Sequence, residues 1–526
     1  MSTSEPLVPV SGSSVAPSTQ VAAAGAWGLG GRVALLIAAL VTTPFTIRLL
    51  GSSRYGLWAL LLTSLTWAAL ANLGMGTAST KFGAEHYARG DDLGEVAVVW
   101  TALSLTAITT SCAAVVVAVE APAILAHLLH VRGDLLGPGE LALRIVCALF
   151  VVQAVAGTVN TPQVVRLRWR QYTIITTAAG LIAAIGTPVA LVLLSGGVVT
   201  AASVGLGAAA LGALGTLLLS VRVQPALRRP RVSKVVLRQL VGYGSALTVS
   251  SLAIAPLSTA ERFFLADNHS TVVVAYYAVA ATLATTLNVL PGQLVGPLLP
   301  ALTRLEAQGR LGEHRDLYRK SLSGLFLVLT PAAILLAFLA HPFLSLWAGT
   351  EYGLHSTGPL LVLVGGVWVN CLAWVPYTYL LSSGHTKILA YVNVAEILPF
   401  IAAAWVLTAK FGAIGAALVV SAMSAVDAVV FFVVVRHVAQ LPFSPLSERR
   451  TRSVAVPVAL GCAAMLAATV GHGLAIRLGW AALLSGVYAA AVWRLVLTPT
   501  ERGGLLSLAA EVVGPGPWSR RSGRAT

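Results

Sequence analysis

The chain has 526 residues, of which 57% are hydrophobic and 10% are charged, and its formal net charge is +15. An ordinary soluble domain has roughly 25% charged residues. The composition therefore excludes a mostly water-facing surface and predicts an integral membrane protein. The basic excess is better explained by loops that fix topology and meet anionic lipid headgroups than by nucleic acid, so no nucleic-acid partner is expected.

Long apolar runs separated by short loops predict an all-α polytopic membrane protein, because a transmembrane β-barrel would show short alternating strands instead. We expect about fourteen transmembrane helices. Their predicted bounds, in chain order, are 27–47, 57–79, 96–119, 141–163, 172–194, 198–221, 241–265, 272–298, 321–346, 358–381, 388–408, 411–435, 453–472 and 478–497.

The basic residues predict the orientation of these helices. If the N-terminus is cytoplasmic, 26 of the 34 lysines and arginines lie in inward-facing loops or the C-terminal tail, and six lie at outward loops or helix ends. Cytoplasmic loops of membrane proteins are enriched in Lys and Arg. Both termini are therefore expected on the cytoplasmic side of a bacterial plasma membrane.

A weak internal repeat divides the chain into two halves. The sequence Leu-Gly-Glu closes a polar loop at 93–95 and again at 311–313, and Tyr55 and Tyr276 begin the preceding helices. These offsets of 218 and 221 residues predict two six-helix lobes related by a parallel repeat. The predicted parts are a flexible tail (1–26), an N-lobe (27–221), a basic cytoplasmic linker (222–240), a C-lobe (241–435), two appended C-terminal helices (436–498) and a cytoplasmic tail (499–526).

Several motifs resemble the bacterial polysaccharide flippases of the O-antigen and teichoic-acid type, within the multidrug/oligosaccharidyl-lipid/polysaccharide (MOP) exporter superfamily. The similar residues are Pro44, Arg48 to Gly51, Tyr55 to Trp58, Leu73 to Gly76, Ala84-Glu85, Ala88 to Asp91, Glu261-Arg262 and Tyr276-Tyr277. The resemblance implies two lobes around a central cavity. It also implies flipping of polyprenyl-diphosphate-linked glycans from the cytoplasmic to the outer leaflet.

Such a substrate needs a hydrated cavity with cations for its diphosphate and polar groups for its sugars. Arg262 is the first candidate, because Thr248 and Ser258 fall on its helical face. Its alternative role is to reach the outer headgroups. Arg32 and Arg48 are further candidate substrate ligands, or interfacial anchors. Asn72 is expected either to line the cavity or to join helices.

Three acids within predicted spans are candidates for coupling transport to an ion, H+ or Na+. They are Glu261, Glu396 and Asp427. An intramembrane acid usually faces the protein interior or a proton pathway. Each acid could instead serve as a structural hydrogen-bond partner.

No enzyme motif stands out in the chain. It has no GxxxxGK[ST] phosphate-binding loop and no HExxH, and its four cysteines lack metal-binding spacing. We therefore expect neither catalytic residues nor a metal or other cofactor. Lipid-linked glycan and membrane lipids are the expected partners, together with a polysaccharide polymerase or glycosyltransferases. The alternatives are an ion-coupled multidrug antiporter of the same fold, a lipid-II flippase, or a membrane-embedded glycosyltransferase.

Overall fold

A computed structural model describes residues 18–129, 131, 133–166, 168–289, 291–292, 298–299, 301–302, 305–306, 308–383, 385–439 and 474–496. Every regular element in these ranges is a helix. The α-helices are α1 Ser18–Leu50, α2 Ser52–Ala68, α3 Met75–Ala88, α4 Asp92–Val119, α5 Ala121–Ala123, α6 Leu136–Val159, α7 Thr161–Val165, α8 Trp169–Leu193, α9 Val198–Val223, α10 Lys234–Asn268, α11 Thr271–Thr285, α12 Leu311–Phe338, α13 Ala340–Trp347, α14 Thr350–Ser382, α15 Thr386–Ala439 and α16 Leu474–Ala491.

Nine helical segments in the described ranges are long and apolar enough to cross a membrane. The all-α membrane fold is thus confirmed, whereas the number fourteen is not. The predicted span 453–472 and the tail 499–526 lie outside the described residues. α1 begins at Ser18, inside the predicted tail 1–26, in an alanine-rich stretch of high helix propensity. The predicted turn near residue 411 is a kink within α15 at Gly412, whose φ is 55°.

The predicted continuous helix 57–79 is wrong, because the structure breaks it. α2 ends at Ala68, a 3-10 turn covers Ala69–Asn72, and α3 starts at Met75. Between them Leu73 and Gly74 have φ values of 50° and 65°. This left-handed conformation cannot continue a right-handed helix. Hydropathy stays high through the break, so the apolar pattern does not reveal it.

Similar glycine turns precede α4 and α12. Gly90 and Gly309 both adopt positive φ, at 70° and 68°, just before the starts of α4 and α12. The Gly90 N–H donates to the carbonyl of Tyr87 at 3.0 Å, and the Gly309 N–H donates to that of Glu306 at 2.9 Å. The same hydrogen bond, from a glycine N–H to the carbonyl three residues earlier, therefore closes both turns, and the repeat stays a prediction.

The chain forms two compact units, which do not coincide with the predicted lobes. The first contains Met1–Ala278 and Asn393–Ala416, and the second contains Val279–Val392 and Ala417–Thr526. The lobe boundaries stay a prediction.

The first unit has a buried core in which α2 packs against α6 and α9, through Leu57, Leu143 and Val198. In the second unit the Trp368 indole N–H donates to Thr330 at 3.1 Å, which ties α14 to α12.

The predicted linker 222–240 packs along α4. After α9 it forms a 3-10 turn at Pro225–Arg228, and α10 begins at Lys234. The Trp100 indole N–H donates to the carbonyl of Leu227 at 3.0 Å. The Ser233 N–H donates to the Thr101 hydroxyl at 3.1 Å. The linker is thereby fixed to one helix of the first unit.

Candidate functional site

Arg262 lies near the C-terminal end of α10 and is directed towards α2. Its Nη1 donates a 3.0 Å hydrogen bond to the Thr63 hydroxyl. Thr63 is eleven residues into α2, or about 16 Å from its first residue. The guanidinium is thus held against the middle of a neighbouring helix. The two predicted roles of Arg262, substrate ligand and headgroup contact, both stay predictions.

Glu261 supplies the countercharge and is almost completely buried, at 1% exposure. Its Oε1 accepts a 3.0 Å hydrogen bond from the Tyr277 hydroxyl and lies 3.6 Å from Nε of Arg262. Its Oε2 has no hydrogen-bond partner within the described part of the chain. We call Thr63, Glu261, Arg262 and Tyr277 the Arg262 cluster; all four belong to the first unit.

The cluster combines a buried acid with a cation that can still be reached. A buried carboxylate is costly unless a cation and hydrogen bonds compensate it, and Arg262 and Tyr277 provide both. The Arg262 side chain keeps 26% of its surface exposed. A guanidinium has five N–H donors in a planar fork that matches phosphate oxygens. Arg262 can therefore pair with Glu261 and also offer donors to an incoming anion.

The structure brings only some of the predicted substrate ligands to this site. α10 is helical from Lys234 to Asn268, so its backbone places Thr248 and Ser258 on the face of Arg262. Their side chains lie outside the described residues. Arg32 and Arg48 are exposed on α1, and sixteen helical residues separate them by about 24 Å. One diphosphate cannot contact both of them.

Asn72 lies at the break between α2 and α3, where it joins helices. Its Oδ1 accepts a 3.2 Å hydrogen bond from Thr106 of α4. The Thr106 hydroxyl is also 3.2 Å from that of Thr158 in α6. Both threonines are fully buried. A role of Asn72 in substrate binding stays a prediction.

The other two predicted acids belong to different units. Glu396 is buried at 7% exposure and lies in the first unit, before the kink of α15. Asp427 is half-buried and lies in the second unit, after the kink. No group of three or more His, Cys, Asp or Glu residues in the described ranges could hold a metal ion.

Sequence reasoning missed Thr63 as a site residue and used Tyr277 only as a motif residue. Thr63 is a lone hydroxyl in an apolar run, 199 residues from Arg262, and carries no local signal. Tyr277 follows the predicted start of its helix, where a tyrosine is also a common interfacial residue.

A second buried ion pair, between Glu95 and Arg166, was not predicted from the sequence. Glu95 was interpreted only as part of the Leu-Gly-Glu repeat, and Arg166 only as one of the basic loop residues. The two make a bidentate pair, in which Nη2 of Arg166 is 2.8 Å from Oε2 of Glu95. Glu95 is fully buried, and the Gln224 amide donates to it at 3.4 Å and to Asp92 at 3.0 Å. The Arg166 guanidinium also lies 4.5 Å from the ring centre of Tyr87.

The Arg166 guanidinium stays charged in this setting. Burial alone would lower its pKa, but the hydrogen bond and charge of Glu95 outweigh that effect and raise the pKa above its usual value. The pair therefore connects α4, the end of α7 and the linker at any physiological pH.

Residues 24–306, more than half of the chain, match the family described as "Polysaccharide biosynthesis protein". The chain belongs to this family. A relative from Shigella flexneri, named "Putative O-antigen transporter", is 27% identical over 181 residues, which is 34% of this chain and 43% of the relative. The matched part thus spans less than half the length of that relative.

Solved structures of the MOP superfamily share the fold. Lipid II flippase MurJ in an inward closed conformation matches with a TM-score of 0.67 and 10% identity, over 91% of this chain and 98% of MurJ. An inward-facing multidrug resistance MATE family transporter matches with a TM-score of 0.66 and 13% identity, over 78% and 98% of the two chains. The family predicted from the motifs is confirmed, and the chain is a multi-pass membrane protein that has the fold of these transporters.

Proposed function

We propose that this transporter flips polyprenyl-diphosphate-linked oligosaccharide from the inner to the outer leaflet of a bacterial plasma membrane, for cell-surface polysaccharide biosynthesis. The observation that carries the proposal is the Arg262 guanidinium, which is held against α2 by Thr63, is paired with the buried Glu261 and remains partly exposed. A cation within the hydrocarbon core is energetically costly unless it faces the protein interior or a water-filled cavity. Such residues therefore mark ion or substrate pathways. The diphosphate is the group that most needs such a cation.

The proposed mechanism is alternating access between the two halves of the repeat. Arg262 attracts the diphosphate in this scheme. Glu261, with its open Oε2, is the first choice for the coupling H+ or Na+, and Glu396 and Asp427 are the alternatives. Both termini are cytoplasmic in the proposed orientation. A polysaccharide polymerase or glycosyltransferases would supply or consume the substrate, and the chain itself acts as a transporter without catalysis.

The family match and the name of the Shigella flexneri relative support a glycan substrate. Two other substrates fit the same fold. Lipid II is also a lipid-linked saccharide, so a lipid-II flippase would differ only in the glycan. A multidrug antiporter would take cations, and the buried acid Glu261 is the observation that favours it. Arg262 beside that acid would repel a cationic drug.

Arg262→Gln is expected to reduce flipping at least about tenfold, because a hydrogen bond to a charged group contributes about 1.5–3 kcal/mol. Glutamine keeps a donor for Thr63 but loses the charge. The measurement uses proteoliposomes with a fluorescent polyprenyl-diphosphate oligosaccharide, with and without a proton or sodium gradient. A membrane-impermeant quencher removes the fluorescence of substrate in the outer leaflet, so the quenched fraction measures how much substrate has crossed the bilayer.

The matched control is Arg238→Gln, an exposed arginine near the start of the same helix, which should leave the rate unchanged. Equal rates for Arg262→Gln and the parent protein would remove Arg262 from the site. Export of cationic drugs, with no flipping under any gradient, would favour the antiporter.

A further inference from the structure

A cavity of about 300 Å³ opens between α6, α8 and α9, and no residue of the Arg262 cluster lines it. Its walls are mostly alanine and glycine, and its polar side chains are Gln153, Tyr172, Thr176 and Thr216. No charged residue lines it. The volume is at the lower end of the range for small-molecule pockets. All of these residues belong to the first unit.

Gln153 shows that the cavity is a polar environment. It lies in the membrane-spanning part of α6, and its side chain is exposed. Its amide makes no hydrogen bond to any other described residue. A primary amide has two donors and an acceptor with two lone pairs, and leaving them unpaired against lipid costs several kcal/mol. An exposed glutamine at this position therefore indicates contact with water or with a polar ligand.

The glycines of the cavity have two different roles. A Cβ added at Gly212 would lie 2.8 Å from Cβ of Ala179, so this glycine allows α8 and α9 to pack closely. A Cβ added at Gly157 would have no atom within 4 Å. Packing therefore does not require glycine at 157. Its missing side chain instead leaves open space beside Gln153, one helical turn away.

The cavity also lies near the side from which the proposed substrate would enter. Gly157 is two residues before the end of α6, and Tyr172 is three residues after the start of α8. The connection between these helices belongs to the predicted inward loops.

We infer that this cavity is a subsite for neutral sugar units of the transported glycan, an inference that rests on the proposed function. Sugar hydroxyls need neutral hydrogen-bonding groups, which Gln153 and Thr176 provide. The C–H face of a sugar ring packs against aromatic side chains, and Tyr172 is the aromatic residue among those that line the cavity. The absence of charge among the lining residues disfavours the diphosphate and acidic sugars. An isoprenoid chain would leave the Gln153 amide without partners.

Thiol protection tests the inference without relying on transport. Thr176→Cys places a thiol in the cavity. The rate at which a maleimide alkylates this thiol is measured in purified protein. The alkylation rate of the protein that retains Thr176 is subtracted, because it reports the native cysteines. A free neutral tetrasaccharide is expected to slow alkylation at least about fivefold. The same protein carrying Gly157→Leu should lose this protection, because the leucine fills the open space.

The matched control is Gly207→Leu on α9, where the glycine is exposed and a Cβ would also have no atom within 4 Å. Protection should persist in this control. The inference is overturned if the tetrasaccharide gives no protection, if Gly157→Leu leaves protection intact, or if polyprenyl phosphate without sugar protects instead. Protection by the sugar in a protein that does not flip lipid-linked glycan would retain the subsite and reject the proposed function.

Discussion

Replacing Arg166 by leucine is expected to destabilise the protein by about 3–5 kcal/mol, the usual cost of leaving a buried charge without its partner. Glu95 is fully buried, and 12% of the Arg166 side chain is exposed. Among the described residues, the variant would leave the carboxylate of Glu95 with the 3.4 Å contact to the Gln224 amide as its remaining hydrogen bond. The loss should appear as a lower midpoint of thermal unfolding and a lower yield of monodisperse protein in detergent.

The double variant Glu95→Leu/Arg166→Leu distinguishes two quantities. One is the net contribution of the ion pair to the free energy of unfolding, and the other is the cost of removing one partner and leaving the other charge buried. Exchanging a whole buried ion pair for apolar side chains is often close to neutral, so the double variant should recover most of the stability. Arg168→Leu is the control, because Arg168 is exposed two residues away. Additive losses in the double variant would show that the two side chains do not stabilise the fold as a pair.

The positions of most helices could be predicted from hydropathy alone. The predicted spans 96–119 and 198–221 compare with helices Asp92–Val119 and Val198–Val223. A helix in a membrane satisfies its own backbone hydrogen bonds, so an apolar run of sufficient length defines it. The helix ends extend beyond the apolar runs into polar residues. At α4, Asp91 accepts a 2.8 Å hydrogen bond from the Gly94 N–H and caps the helix.

The candidate site could be predicted only in part. Arg262 and Glu261 are recognisable because charged residues in an apolar run are rare and costly. Their partner Thr63 could not be predicted, since the contact depends on how α2 packs against α10. Glu95 and Arg166 lie at the ends of apolar runs, where charges are ordinary, so nothing in the sequence distinguishes this buried pair from solvated loop residues.

Gly56→Ala is expected to open a close contact between the starts of α2 and α11 and to reduce transport. A Cβ at Gly56 would overlap the backbone carbonyl of Thr271, which cannot rotate away as a side chain could. Beside it, the hydroxyls of Ser53 and Thr271 are 3.1 Å apart. Overpacking of this kind costs about 1–3 kcal/mol. Alanine is otherwise the better helix former by about 1 kcal/mol, so any loss must come from the contact.

Ser53 belongs to the predicted N-lobe and Thr271 to the predicted C-lobe, so this contact joins the two predicted lobes at the starts of α2 and α11. In the proposed orientation, the α1–α2 and α10–α11 connections both face outward. The contact would then close the outer side of the transporter and would have to separate once in each cycle.

A substitution that disfavours only the closed state should therefore shift the population towards the open one. A cost of 1–3 kcal/mol corresponds to a shift of about 5- to 150-fold. The reporter is Ser53→Cys, whose alkylation by a membrane-impermeant thiol reagent should accelerate at least about fivefold when Gly56→Ala is added. Gly30→Ala on α1 is the control, because a Cβ there would have no atom within 4 Å. Unchanged labelling together with unchanged flipping would mean that the contact does not open and close during transport.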